Sequence, residues 1–252
     1  MSASDTTYPD ADRRNVIPLI PPTTARLLDV GCWRGAFGQE LKRRNPNLFV
    51  AGVEANPAAA AVAATRLDKV VAGRFPEDLS QERPFDCVVF NDVLEHLVDP
   101  WEALRLTRSL LADSGTVVAV IPNIRHVRAV MPLLFRGRWD YADTGLLDRT
   151  HLRFFTRATM IELFETAGYT VNSITPQDLS DVGLRGVGMR LLLAPFGREH
   201  SEGLRARHYA LVASPDRPTD RVGDADDVTN ITRVSPRLSG HGERLNIAGP
   251  YL

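Results

Sequence analysis

Along this chain, short apolar runs alternate with segments whose apolar residues recur at helical spacing. Arg26–Val30, Phe49–Glu54, Lys69–Ala72, Phe85–Phe90 and Thr116–Ile121 are compact, β-branched or apolar stretches bounded by polar breaks. Between them the pattern predicts helices near Ala36–Arg44, from Pro57 onward, and from Pro100 to about Ala112. Strand–helix alternation of this kind is the signature of a parallel sheet covered on both faces. The start signals agree with the pattern. Asn56-Pro57 offers a cap followed by a proline in the first turn, and Asp99-Pro100-Trp101-Glu102 reads as a capping box. Gly115 marks a stop.

The second half is less regular. Thr156 caps a helix that ends at Gly168, and Tyr169–Ile174 and His208–Ala213 read as two further strands. Gly188–Phe196 predicts a short apolar helix, and 123–155 reads as a loop or insertion of the length that often carries function. Residues 1–24 read as an arm or flap, 25–214 as the domain proper, and 215–252 as a polar, disordered tail.

Composition narrows the picture. The chain has 252 residues, enough to bury a full core, and a formal net charge of −1. That balance gives no basic field for nucleic acid. No run reaches the length of a membrane span, and the N-terminus lacks a basic–apolar leader. Cys32 and Cys87 lie on unrelated segments and form neither a metal pair nor a disulfide framework, which points to a reduced cytoplasmic setting.

The chemistry begins at Leu28-Asp29-Val30-Gly31-Cys32-Trp33-Arg34-Gly35, with Glu54 19 residues beyond Gly35. Glycines let a backbone approach a ligand, and a carboxylate at the tip of the next strand accepts both hydroxyls of a ribose. Nicotinamide and S-adenosylmethionine (SAM) sites share this logic. The dinucleotide fingerprint needs glycine where Trp33 stands, so the pattern fits SAM better.

Taken with Phe85-Asp86-x-Val88-x-Phe90-Asn91-Asp92-Val93-Leu94-Glu95-His96-Leu97 and Leu111-x-x-x-Gly115, the order of motifs over residues 25–175 resembles the class I SAM-dependent methyltransferases. The resemblance implies an α/β fold with a Rossmann-like seven-stranded sheet, helices on both faces and a late antiparallel hairpin. It implies Asp29 at the amino end of the methionine moiety, Gly31 and Gly35 lining the cofactor and Glu54 on the ribose. Asn91 and Asp92 would flank the methionine portion, and the loop with Phe75 would approach the adenine. Trp33, where relatives usually carry glycine, would lid the pocket or shift the cofactor.

Two arrangements could serve the acceptor. Asp92, Glu95 and His96 with the later His151 suit a divalent ion such as Mg²⁺ or Mn²⁺ holding a diol. This set resembles terminal RNA 2′-O-methyltransferases and ubiquinone-pathway O-methyltransferases. Alternatively His151, or His126, acts as general base, with Asp148 orienting His151 and Glu95 or Asp92 as substitutes. The runs Asn123–His126 and Phe135–Tyr141 would build the acceptor pocket, Trp139 and Tyr141 stacking on a sugar face. The Gly137–Tyr141 and Leu146–Thr156 pattern resembles actinobacterial sugar O-methyltransferases, including those of methylmannose polysaccharides. It implies a saccharide or glycolipid-precursor acceptor and leaves a homodimer open. A quinone, phenol or carbon acceptor, or a non-catalytic SAM-fold protein, is the alternative.

Overall fold

The computed structural model describes residues 10, 12–75, 79, 84–180 and 198–216. The Gly188–Phe196 helix and the tail after Pro215, apart from Asp216, lie outside the described residues.

Seven strands form one sheet: β1 (Arg26–Val30), β2 (Phe49–Glu54), β3 (Lys69–Ala72), β4 (Phe85–Asn91), β5 (Leu111–Pro122), β6 (Tyr169–Leu179) and β7 (Ala206–Pro215). Their order is β3-β2-β1-β4-β5-β7-β6. The pairs among β1 to β5 are parallel, whereas β7 runs antiparallel to both β5 and β6. This is the seven-stranded Rossmann-like sheet the motif order implied.

Helices α1 (Ala36–Arg44), α2 (Pro57–Ala63), α3 (Pro100–Leu110) and α5 (Arg157–Thr166) cross between strands. Alternation along each strand divides the core. Val88 and Phe90 pack with Leu28, Val30, Leu104 of α3 and Met160 and Phe164 of α5. Cys87 and Val89 turn to the other face, against Leu27, Phe37 and Leu41 of α1 and Ala63 of α2. Residues buried on both faces of β4 explain why its sequence is a continuous apolar run. Each fully buried side chain of this size contributes roughly 1.5–3 kcal/mol.

The caps form largely as the sequence proposes. Asn56 Oδ1 accepts from the N–H groups of Ala58 and Ala59. Thr156 caps α5, and Thr159 completes a reciprocal box. At α3 only half of the expected box forms: Asp99 accepts from the Glu102 N–H, while the Glu102 carboxylate pairs with Arg105.

Three boundaries differ. Helix α3 stops at Leu110, and β5 starts at Leu111 with a register shift before Thr116, so Gly115 lies inside the strand. The 123–155 segment contains a helix, α4 (Val127–Arg136), that has Pro132 in its interior. A further helix, α6 (Arg198–Arg205), precedes β7. In the segment read as an arm, Val16 is fully buried against the α1 face of the sheet and a 3₁₀ turn spans Ile17–Leu19.

Candidate functional site

Everything expected at the cofactor end converges at the carboxyl ends of β1, β2 and β4. After β1 the chain turns sharply: the N–H groups of Gly31 and Cys32 both donate to the Val53 carbonyl, at 2.8 and 3.1 Å. Gly31 has φ +68°, and a Cβ there would stand 2.6 Å from Val93 Cγ2, so the turn needs glycine both for conformation and for space. Gly35, at φ +79°, caps α1.

Trp33 also sits in the left-handed region, at φ +48°. That is the physical reason glycine suits this position, and Trp33 holds a conformation that costs a bulky residue free energy. Its backbone is pinned by Glu54: Oε2 accepts the Trp33 N–H at 2.9 Å and Oε1 the Asn56 N–H at 2.8 Å. Glu54 thus ties the glycine-rich turn to the end of β2 and keeps a lone pair on each oxygen. Burial raises its pKa. Asp29 is 2% exposed, and burial with the neighbouring Glu54 pushes its carboxyl up to about 7. Such a carboxylate favours a bound cation, as an α-ammonium would be. Asn91 ends β4 with both amide atoms buried and without a hydrogen-bond partner, as a residue waiting for a polar ligand would be. Phe75 packs edge-on against Phe90, ring centroids 5.6 Å apart. The turn, the buried acid and the orphaned amide together fit SAM.

Beyond β4 a second cluster forms. Glu95, 1% exposed, lies in a 3₁₀ turn over Leu94–His96, and neither of its carboxylate oxygens has a hydrogen-bond partner. The Glu95 backbone carbonyl accepts from the N–H groups of Leu152 and Arg153 at 2.8 and 2.9 Å, which brings His151 beside it. The bridge between Asn123 and Phe155 fixes the other end of that loop to β5. One ligand atom from each of Glu95, His96 and His151 lies within 4.8 Å of the others. The imidazoles meet edge to face with centroids 4.7 Å apart, and His151 Nε2 is 4.0 Å from Glu95 Oε1.

The protonation states follow from the surroundings. His96 Nδ1 lies 3.2 Å from the Thr150 carbonyl, which only accepts, so Nδ1 carries the proton and Nε2 keeps its lone pair. Thr150 is held in turn by Asp148 Oδ1, at 2.7 Å from its hydroxyl. Burial lowers the His96 pKa, and burial with the neighbouring His96 lowers His151 to about 4, so both rings are neutral near pH 7. Burial and the Asp92 charge raise Glu95 well above the usual carboxylate range. Neutral imidazoles and a carboxylate short of positive charge form a donor set that fits a divalent cation.

Asp92, the fourth member of the expected metal set, falls outside this group. It has φ +53° and pairs with Arg13 from the N-terminal segment, and its Oδ1 is 3.7 Å from His208 Nε2. His208 also meets Asp178, Nδ1 to Oδ2 at 3.2 Å. Sequence reasoning missed Arg13, His208 and Asp178 here, because nothing local ties residues so far apart. His126 is fully buried as the cap of α4. Its Nδ1 accepts from the Arg128 N–H and its Nε2 faces Ser180 Oγ at 3.1 Å, so both nitrogens are engaged away from the Glu95 cluster. Of the expected acceptor run, Phe135 and Tyr141 are exposed. Trp139 packs edge-on against Phe154, which in turn stands 6.2 Å from His151.

Residues 6–174 match the family described as "Methyltransferase domain". A ubiquinone biosynthesis O-methyltransferase of Pseudomonas aeruginosa is 28% identical over 167 residues, covering 60% of this chain and 70% of the relative. A trans-aconitate 2-methyltransferase of Methylobacterium nodulans is 26% identical over 224 residues, covering 84% and 85%. Among solved structures, a SAM-dependent methyltransferase from Archaeoglobus fulgidus superposes with a TM-score of 0.59 at 21% identity, covering 79% of this chain and 90% of that one.

Proposed function

Because the chain belongs to the class I methyltransferase-domain family and is a SAM-dependent methyltransferase, we propose that it methylates an oxygen of a vicinal diol held at Glu95, His96 and His151, with Mg²⁺ or Mn²⁺ in that donor set. The observation that carries this reading is the Glu95 carboxylate, buried with both oxygens free of hydrogen bonds between two neutral imidazoles. A buried polar group is ordinarily satisfied, and a missing cation or acceptor hydroxyl accounts for one that is not.

The protonation states also weigh between the two arrangements considered for the acceptor. A histidine at about 4 is a poor base for a hydroxyl near pH 7 when it acts alone. A divalent cation, when bound, lowers the pKa of a hydroxyl it touches and keeps Glu95 ionised. At the cofactor end Asp29, Gly31, Gly35, Glu54 and Asn91 would hold SAM, with Trp33, Phe75 and Asp92 around it, aligning its electrophilic methyl group with the acceptor. The acceptor oxygen, its proton lost to solvent, bonds to the methyl carbon. The carbon–sulfur bond breaks, and S-adenosylhomocysteine leaves.

The acceptor class we favour is an aromatic diol of the quinol type. The relative named for ubiquinone biosynthesis supports it. The saccharide acceptor is a second reading, favoured by Trp139 packed toward the site and the Arg138–Asp140 pair beside it. None of the named relatives is a sugar methyltransferase.

The test is transfer of labelled methyl from SAM to a panel of catechols and quinols, mono- and oligosaccharides, and carboxylic acids, with and without a chelator. The expected result is an O-methylated catechol or quinol, lost on chelation and restored by Mg²⁺. Labelling of saccharides alone would move the enzyme to the second reading. Transfer indifferent to chelation would retire the cation, and a methyl ester or C-methyl product would overturn the diol.

A further inference from the structure

Helix α4 does not behave as a helix of a sealed domain. Of its residues only Ala129 is buried, although the run Val127-Arg128-Ala129-Val130-Met131-Pro132-Leu133-Leu134-Phe135-Arg136 is mostly apolar. Its last turn exposes Leu133, Leu134 and Phe135 at 47, 69 and 69%. Three consecutive residues about 100° apart cover more than half of a helix's circumference, so the apolar surface of this turn is broader than a single stripe, with Arg136 beside it. Beyond it Gly137 adopts φ +60° with nothing within 4 Å of a Cβ placed there, and Tyr141 is 57% exposed. Among the described residues, the tip of α4 stands free of the domain. Exposed apolar surface of this kind marks an interaction site.

Its charges select the partner. Helix α4 carries Arg128 and Arg136 and no acid, and neither arginine has an ion pair among the described residues. The nearest acids further along the chain are spoken for: Asp140 is paired with Arg138, and Asp143 with Arg149. An apolar tip that ends in Arg136, on a helix whose first turn carries Arg128, complements a surface that is apolar within and anionic at its face, the chemistry of an acidic phospholipid membrane. A second copy docked tip to tip about a two-fold axis would instead bring the two Arg136 side chains toward each other, placing like charges together. No described helix is long and apolar enough to cross a membrane, so contact would be at the surface.

The position relates the tip to the site. Helix α4 leaves the carboxyl end of β5, the same edge of the sheet that carries the cofactor turn. The chain then returns through Trp139 and Phe154 to His151. We propose that the apolar tip of α4 docks the enzyme on an anionic lipid surface, so that the site faces acceptors carried in or on that surface. This extends the acceptor reading to lipid-borne molecules, while the docking itself requires no cation and no particular acceptor.

The experiment is cosedimentation of the full-length chain with phosphatidylcholine vesicles, with and without added phosphatidylglycerol, read without methyl transfer. The wild type should bind the anionic vesicles at least about tenfold more tightly than the neutral ones. Each surface arginine is worth about fivefold, so Arg128→Gln with Arg136→Gln should lose most of that preference. Leu134→Ser with Phe135→Ser should bind at least about tenfold more weakly to anionic vesicles, with an unchanged melting temperature because both side chains are exposed. Failure of the wild type to sediment with anionic vesicles would overturn the proposal, as would binding unchanged in both double variants. A concentration-dependent dimer abolished by Leu134→Ser with Phe135→Ser, without vesicle binding, would overturn it in favour of a second copy. Any of these failures would leave the diol reading to its own methyl-transfer test.

Discussion

The two ends of the site are built by opposite means. At the cofactor end the backbone does the work: Gly31, Cys32, Trp33 and Asn56 donate to Val53 and Glu54 within one strand–turn–helix unit and its neighbour. At the acceptor end the backbone only brings things together, through the Leu152 and Arg153 N–H groups on the Glu95 carbonyl, and the side chains are left wanting. Glu95 has two unbonded buried oxygens, and α4 has an exposed apolar turn. A fold can carry one common reagent in a cradle pinned by backbone hydrogen bonds and still vary what it modifies, because the variable groups are stabilised by what binds them rather than by each other.

That contrast can be broken at either end. The largest effect is expected at the acceptor end: His151→Ala should lower kcat by about 10²-fold, since it removes a donor of the cation site, and leave SAM affinity within about threefold. Weakened SAM binding in calorimetry, in parallel with lost turnover, would mean the two ends are not separable. At the cofactor end Gly31→Ala should destabilise the fold by about 3 kcal/mol, combining left-handed strain with a Cβ forced onto Val93. A urea midpoint equal to that of the wild type would show the turn to be slack rather than tight.

His126 sharpens the comparison, since it is a histidine near the acceptor end that the structure uses as a helix cap. Burial depresses its pKa from 6.5 to about 4, so the unfolded chain binds its proton more readily than the folded one. The stability it contributes is therefore present above pH 6.5 and is lost as pH falls toward 4. The wild type's advantage over His126→Gln in denaturant melts should shrink across that window, while kcat at neutral pH changes little. An advantage independent of pH would contradict the neutral cap. The smallest effect belongs to Asp140→Asn, which removes an exposed pair with Arg138 and should leave the urea midpoint unchanged. A raised KM for a saccharide acceptor in that variant would favour the second reading.

What was legible in the sequence follows the same divide. The strands β1 to β4, the caps at Asn56 and Thr156, and the cofactor motif are local: each is fixed by neighbours a few residues away or by a strand buried on both faces. The start of β5 was misplaced because Leu111–Gly115 joins the sheet through a register shift, which periodicity does not reveal. Helix α4 was hidden by Pro132 in its interior and by the irregular, Arg- and aromatic-rich segment around it. The grouping of Glu95 and His96 with His151 was legible only as a family resemblance. The reassignment of Asp92 to Arg13 and His208 depends on segments 79 and 116 residues away and left no trace in any motif. The long-range contacts that complete a site are tertiary, and spacing along the chain does not encode them.

The account rests most on the claim that Glu95, His96 and His151 form a cation site at the acceptor end. Titration of the folded enzyme with Mn²⁺ in the presence of S-adenosylhomocysteine, followed by electron paramagnetic resonance, tests it directly. The account predicts one site per chain, displaced by Mg²⁺ and lost in both His96→Ala and His151→Ala while the variants still bind S-adenosylhomocysteine. No saturable binding by the wild type, or binding undiminished in both variants, would contradict it.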